Sequence, residues 1–553
     1  MILEKLCEFA ETVEDFPPPH FKKRSIDYLI EINEEGELLG FTDVSDEGKI
    51  FIYADHLIGR TSQVKPHLLT DKASYVFGNV ENEQLTNRQE ETKAAFYDLV
   101  LELYEETGEQ VIYSILKFLE NTQGKDYLET DLKNNKWLAF RVNGKDPLKI
   151  DSIQKFWQKR QNNIAKEERS DLISECLICH QEKVIADRDP EQFKLISVGG
   201  QSGGSSLISA NHKSFESYGL SASHISSICF DCAIQYGMAA NYLIAKKDHR
   251  LKIGDILYIF WTKNNSEFNG FQLLEKPKPN ELRNFLKSFK SGKKAYIDDE
   301  EFYCLALSAN NSRAVVKDWI NTTVSNVEKN INNYFREMNL DDNKSEEYYS
   351  IFKLAKSTAF ISKKNNNIKP VVIKSIVNYA IKGTALVDSV LLNIINRIKA
   401  DVEFRVTRPR ASLLKMYFNS HPEGGIKVKD KLSKKENNPA YLCGRLFSIL
   451  ELIQDKAISA NTKIVDRYYG TASSAPASVF GNLIRKAQHH LAKLRKEQST
   501  TGMYYWLQSE LEDIMVELND FPATLSLKEQ GLFALGYYQQ KAYRPEKDEK
   551  EEN

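Results

Sequence analysis

The sequence predicts an α+β fold: a mixed N-terminal domain interrupted by a cysteine-paired insertion, then a C-terminal helical bundle. Three observations carry it. Short strand-like apolar runs recur up to residue 342, helical spacing takes over from 343, and two C-x-x-C pairs stand between the strand-rich stretches. At 553 residues the chain exceeds what one ordinary hydrophobic core fills. The expected divisions are 1–170 (α+β), 171–250 (cysteine pairs with a Gly/Ser-rich loop), 251–342 (a second α+β segment of the N-terminal domain), 343–545 (helical bundle) and 546–553 (acidic tail).

In chain order, SIDYLIEI and LLGFTDVS, joined by NEEGE, predict a hairpin; KIFIYA and KWLAFRV predict further strands, and 88–119 a helix. Beyond the cysteines, DILYIFWT (255–262), FYCLALS (302–308) and RAVVKDWINTTV (313–324) predict strands, with a helix over 325–338. The segments 343–360, 370–399, 440–459, 477–497, 503–519 and 526–541 carry the three-and-four spacing of a bundle. No fixed-period repeat is present.

Composition is that of a water-soluble globular chain, 41% hydrophobic and 27% charged, with no apolar run of membrane-spanning length. MILEKLCEFAETVEDF carries acids where a signal peptide is apolar, so the expected location is cytoplasmic. Seven scattered cysteines, an odd number, indicate reduced thiols rather than a disulfide scaffold. The net charge of −2 hides an asymmetry: residues 405–500 hold 18 Lys and Arg against 7 Asp and Glu, a local +11. Such a basic region is the footprint of a polyanion partner, and a lysine-rich solvated surface is the alternative.

Cys176, Cys179, Cys229 and Cys232 supply four thiols in two pairs, the arrangement in which each knuckle sets two sulfurs on one tetrahedral ion. The 49-residue gap between the pairs is tolerable because loop-closure entropy grows slowly with length. The reading is a structural Zn2+ in a zinc-ribbon-like insertion, against buried free thiols or a redox pair. Within the gap, VGGQSGGSSLISANHKSFESYG (198–219) lacks the Gly-Lys-Ser/Thr of a phosphate-binding loop. It reads as a loop anchored at both ends whose Gln201, Ser202, Asn211 and Lys213 can contact a polyanion or a neighbouring subunit, with disorder as the rival.

These phrases together resemble one family, the large subunit of the type I-C CRISPR surveillance complex (Cascade). The resemblance rests on KPHLLTDKASYVFG (65–78), GGQSGGSSLISANHKSFESYG (199–219), FYCLALSANNSRAVVKDW (302–319), NPAYLCGRLFSILELIQ (438–454), DRYYGTASSAPASVFGNLIRKAQHHLAKL (466–494) and FPATLSLKEQGLFALGYYQQ (521–540). It implies a non-catalytic subunit that recognises the protospacer-adjacent motif in double-stranded DNA and helps unwinding and R-loop formation. The implied partners are the target duplex and its displaced single strand, the guide-RNA-bound backbone subunits, and a recruited helicase-nuclease that does the cutting. Relatives of this kind also produce a small helical subunit from an internal start. Met416, the one methionine between 339 and 502, is the candidate here and would release residues 416–553.

The residues fit that picture on their own terms. In FGNLIRKAQHHLAKLRKE, Phe480, Leu483, Ile484, Ala487, Leu491 and Leu494 form one apolar stripe and leave Lys486, His489, Lys493 and Lys496 on another face. Arg405, Arg408 and Arg410, then Lys427, Lys429, Lys431, Lys434 and Lys435, add basic residues beside it. All are candidates for phosphate contacts, which position DNA without reading it; an ordinary amphipathic surface helix is the bland alternative. IGRTSQVKP (58–66) offers Arg60, Thr61, Ser62, Gln63 and Lys65 on a loop, and Arg and Gln pair with base edges. This loop and the 199–213 loop are the candidates for probing the flanking motif.

The other classes weighed are a zinc-containing nucleic-acid-binding scaffold and a metal-dependent nuclease. A nuclease needs carboxylates or histidines around an open metal position. The tandem His489-His490 would lie about 100° apart on a helix, and His490 falls beside the apolar stripe. Cys304 lies in a strand and reads as buried. Neither a GxSxG elbow nor a kinase or dinucleotide fingerprint occurs, so no enzymatic activity is expected.

Overall fold

Residues 2–543 are described by a computed structural model, apart from 15, 46–49, 57–62, 82–84, 122–131, 169–172, 187, 211, 267–269, 291–299, 343–346, 363–364, 367, 402–404, 422, 424–425 and 459–461. The fold is α+β and divides into two compact units. The first takes in 1–196, 200–242 and 309–315; the second takes in 197–199, 243–308 and 316–553.

In the first unit the expected hairpin forms: Tyr28–Ile32 pairs antiparallel with Leu38–Asp43 across a turn closed by Asn33 and Glu37. Trp137–Val142 lies parallel to Tyr28–Ile32 and antiparallel to Thr70–Lys72, completing a four-stranded sheet. Ile30, Ile32, Leu138 and Phe140 turn one face toward the helices Asn87–Thr107 and Gln110–Asn121, while Leu29, Trp137 and Ala139 are buried on the other. Burial on both faces is why KWLAFRV reads as a nearly unbroken apolar run. Ile50–Ala54 joins Phe21–Ser25 in a separate two-stranded sheet. The helix expected over 88–119 is two helices. Gly108, at φ +64°, ends the first by donating its N–H to the Tyr104 carbonyl, the left-handed cap that glycine adopts without strain.

Arg250–Ile253, Ile256–Thr262, Glu301–Asn310 and Arg313–Thr323 form a four-stranded meander that belongs to the second unit apart from the 309–315 tip. Its Tyr258, Phe260, Phe302 and Cys304 share one core with the helix Val324–Met338 and the bundle. The second α+β segment therefore shares its core with the helices that follow it. The helix Pro439–Ala457 is buried on nearly every side, among the helices Ile464–Ala472, Phe480–Lys496, Thr501–Glu517 and Leu527–Ala542. The stretch expected to be helical over 370–399 is two helices, Pro370–Lys382 and Asp388–Ala400, with Gly383 at φ +70° after the first. Of 343–360, residues 351–357 are helical.

Several helices were not expected, among them Ile2–Glu11, Asp151–Glu168, Phe230–Ala245 and Arg408–Asn419. Arg408–Asn419 carries its own signal in Pro409 at the first turn and the apolar run LLKMYF. No helix among the described residues is long and apolar enough to cross a membrane.

Candidate metal centre and basic surface

The first cysteine pair sits on a hairpin between Ile173–Glu175 and Glu182–Val184. The Cys176 N–H donates to the Gln181 carbonyl and the His180 N–H to the Cys176 carbonyl, with His180 at φ +56°, so the chain folds into a tight knuckle. The second pair comes from the start of the helix Phe230–Ala245, with Cys229 just before it and Cys232 in its first turn. One pair is thus presented by a hairpin, as in a ribbon, and the other by a helix N-terminus, whose positive dipole end favours thiolates. The two are laced together by the Leu177 N–H to the Ser227 carbonyl and the Ala186 N–H to the Ile228 carbonyl.

The four sulfurs lie within 4.8 Å of one another, and Cys179 and Cys229 are 3.8 Å apart. A tetrahedral centre with metal–sulfur bonds of about 2.3 Å has edges of about 3.8 Å. Cys176, Cys229 and Cys232 are buried and Cys179 half-buried. Burial pushes the Cys176 thiol up, but N–H groups of Cys229, Cys179 and Ile178 outweigh it and bring it down to about 7. The Cys229 thiol is driven upward by its hydrogen bond with Cys232 and by burial. Four thiols packed this closely cannot all ionise unless a cation neutralises them, and the donor set therefore fits a metal ion. His180 is exposed beside Glu175 and stands outside the cluster. Cys7, which no spacing pointed to, reaches its edge, with its Sγ 3.5 Å from the Cys232 carbonyl.

The Gly/Ser-rich loop is anchored by more than the cysteine pairs. Gly200 and Ser206 bridge to Asn311 and Arg313 on the tip of the 301–323 hairpin, Ser205 Oγ donates to the Asn311 carbonyl, and Phe193 pairs with Ser205. Gly204, at φ +120°, has no room for a Cβ, which would lie 2.6 Å from Gln192. Gln201 and Ser202 project from this pinned turn, and Lys213 is exposed in a short 3-10 turn where Arg313 covers the Phe215 ring at 4.5 Å. Asn211 lies outside the described residues.

Arg60, Thr61 and Ser62 also lie outside them, whereas Gln63 is exposed and Lys65 half-buried. The ends of that segment are held by a cluster that sequence reading missed. The His56 and His67 rings are 4.9 Å apart, His56 Nε2 is 3.0 Å from the Pro66 carbonyl, and Trp157 and Trp137 flank them at 5.2 and 5.6 Å. Arg24 lies 3.8 Å over Trp137. These residues are scattered from 24 to 157, so no local pattern announces them.

The basic region separates into an inside and an outside. Arg405, Arg408 and Arg410 are not part of an exposed surface: they are 8%, 8% and 5% exposed. Arg408 pairs with Asp342 at 3.3 Å, Arg410 with Asp401 at 2.9 Å, and Arg405 donates to the Lys399 carbonyl. Their charge is spent on carboxylates and carbonyls inside the unit, because a buried guanidinium without partners is prohibitively costly. This corrects their grouping with the surface lysines. Lys427, Lys429, Lys431, Lys434 and Lys435 are exposed, with Lys434 paired to Glu510 at 3.0 Å.

Phe480–Lys496 is a helix with Phe480, Leu483, Ala487, Leu491 and Leu494 buried and Ile484 half-buried, as the stripe required. Lys486, His489, Lys493 and Lys496 are exposed, joined by Arg485 and Arg495, while His490 is half-buried. Lys493 Nζ donates to the Ala457 carbonyl at 2.8 Å, so this lysine also caps the helix Pro439–Ala457. Cys304 is fully buried, which pushes its thiol up, away from nucleophilic use. Met416 is fully buried within Arg408–Asn419, so a chain beginning there keeps residues 416–419 of that helix.

No curated protein matches the chain. Residues 4–544 match the family described as CRISPR-associated protein (Cas_Csd1). The match covers nearly the whole chain, both units and the cysteine cluster included, and the chain belongs to this family of CRISPR-associated proteins.

Proposed function

We propose that the chain is the non-catalytic, DNA-binding large subunit of a type I-C Cascade complex. In this role it recognises the protospacer-adjacent motif in duplex DNA, supports unwinding and R-loop formation with the guide-RNA-bound subunits, and helps recruit a helicase-nuclease. The observation that carries the reading is the helix Phe480–Lys496, packed on one side and lysine-rich on the other, in a CRISPR-associated chain. Surface lysines on a rigid helix hold phosphates without reading bases, which is the task left to protein when guide RNA reads the sequence. Gln63 and the pinned Gln201–Ser202 turn supply side chains able to meet base edges.

The cysteine cluster takes a structural Zn2+ in this reading. Four sulfurs fill the tetrahedral shell and leave no position for water or substrate, which counts against the nuclease alternative. The ion's contribution is to tie the knuckle to the helix Phe230–Ala245 and so to hold both ends of the 180–228 segment.

The test is binding of the assembled complex to target duplexes that differ only in the flanking motif. Lys486→Ala with Lys496→Ala is expected to weaken binding equally across motifs, and Gln63→Ala to change the order of preference. The opposite pattern would reverse the two roles, and no change from either would remove both surfaces from the account.

A further inference from the structure

Within the second unit, the helices Pro439–Ala457, Thr501–Glu517 and Leu527–Ala542 together line an open cavity of about 500 Å3, a size that holds a small organic group. Its apolar walls are Ile449 and Leu452 from the first helix and Met503 and Trp506 from the second. Trp506 is half-buried, and its ring has no aromatic or cationic partner among the described residues. Gly502 is exposed on the rim, where a Cβ would meet no atom within 4 Å.

Two buried polar groups line this apolar space. Ser448 is 4% exposed, and its hydroxyl has no hydrogen-bond partner among the described residues. A buried hydroxyl left unpaired costs free energy that a ligand's hydrogen bond offsets. One helical turn on, the buried Glu451 carboxylate accepts from Tyr537 Oη at 2.7 Å and from Lys541 Nζ at 3.0 and 3.1 Å. A carboxylate has about four acceptor positions, so Glu451 can take one more donor.

The surroundings of the cavity are cationic on balance. Asp455 is paired with Lys463 at 3.0 Å, whereas Lys456 is exposed with no ion-pair partner among the described residues. The lysine-rich helix Phe480–Lys496 is held beside the cavity at two points: Lys493 donates to the carbonyl of Ala457, next to Lys456, and Arg495 lies 5.9 Å from the ring of Tyr504, next to Met503. An occupant suited to an indole wall, a buried hydroxyl, an acceptor carboxylate and cations outside is flat, carries an amino group and is joined to phosphate. A base in a duplex is stacked and its amino group paired, so the fit is to an unpaired one.

We propose that this cavity takes an unstacked, amino-bearing nucleobase of a single strand, with Trp506 stacking on the base, Glu451 accepting from its amino group, Ser448 meeting the neighbouring ring nitrogen, and Lys456 and Lys496 holding the adjoining phosphates. This rests on the DNA-binding reading of the basic helix and adds to it a site that holds a base.

Binding of the full chain to oligo-dC, oligo-dT and an abasic strand, all of about 12 nucleotides, tests it. Oligo-dC is expected to bind at least about fivefold more tightly than the abasic strand, which keeps the phosphates without the bases. Oligo-dT should fall between them, because thymine presents a carbonyl where cytosine presents an amino group. Trp506→Leu, and separately Gly502→Leu, which favours the helix and narrows the cavity, should each lose the preference for oligo-dC while binding the abasic strand as before. Lys456→Ala with Lys496→Ala should weaken all the strands alike. Equal binding of the strands by the intact chain, oligo-dT bound as tightly as oligo-dC, or a preference that survives in both cavity variants would overturn the base site and leave the phosphate surface standing. Cavity variants that weaken every strand equally would overturn it too, as would displacement of oligo-dC by an equal concentration of cytidine monophosphate, which would assign the cavity to a free nucleotide. Absence of binding to any strand would bring down the DNA reading of the helix and the proposal with it.

Discussion

Lys493 and Lys496 stand three residues apart on one helix and do different work. Lys493 Nζ is committed to the Ala457 carbonyl, whereas Lys496 is open to solvent. A Lys493→Ala change is therefore expected to cost about 1 kcal/mol of stability through the lost cap as well as any phosphate contact, a difference visible in urea unfolding of the two single variants. The same residue-level distinction separates the arginines from the lysines. The charge count of 405–500 was legible in the sequence, but the carboxylates that absorb Arg408 and Arg410, Asp342 and Asp401, are placed by the fold and no count reveals them.

The cysteines were legible for the opposite reason. Two-residue spacing is a local property that survives folding, and all four sulfurs meet. Cys229→Ser with Cys232→Ser is expected to abolish bound zinc in elemental analysis and lower the melting temperature of the first unit by roughly 10 °C. A purified wild-type chain without zinc, or a variant melting unchanged, would contradict the structural ion.

Among the elements, the tightest joint is the crossing of Pro439–Ala457 with Leu527–Ala542. A Cβ on Gly444 would lie 2.0 Å from the Phe533 carbonyl oxygen, and one on Gly536 would lie 2.2 Å from that of Tyr441. The two glycines let the backbones touch, and buried polar bonds fix the register: Tyr441 to Gln539, Arg445 to Gln540, and Tyr537 to Glu451. Gly444→Ala must push the helices apart and is expected to destabilise the second unit by about 3 kcal/mol or more, despite the better helix propensity of alanine. Calorimetry would show it, and an unchanged or raised melting temperature would refute the close-contact account.

Periodicity located these helices to within one to three residues at each end because each buries one stripe or its whole circumference. It merged others. Gly108 and Gly383, both left-handed, end helices inside what reads as continuous helical spacing, since the apolar pattern runs on through the short connections that follow them. In Arg408–Asn419 the three arginines of 405–410 mask the helical signal.

At the scale of the whole molecule, the strand-rich and helix-rich halves were legible as α+β, while the grouping of segments was not. The 250–323 sheet shares its core with the later helices, and only tertiary packing decides which neighbour covers a sheet face. The +11 region falls wholly in the second unit. Internal initiation at Met416 would release 138 residues that keep the helices from 439 to 542, which pack on one another. Expression of the native gene with a C-terminal tag is expected to give a second band at about a quarter of full length that disappears in Met416→Leu; a single band would exclude this start.

In the proposed role the exposed lysines hold DNA phosphates, while the buried Arg405, Arg408 and Arg410 hold the fold. The most direct measurement of that role is the salt dependence of target-duplex affinity for the assembled complex, with wild-type chain and with Lys486→Ala plus Lys496→Ala. The account predicts that the slope of log affinity against log salt flattens by about 0.7 to 0.9 per lost contact, with thermal stability unchanged. An unaltered slope, with the variant folded and incorporated, would contradict it.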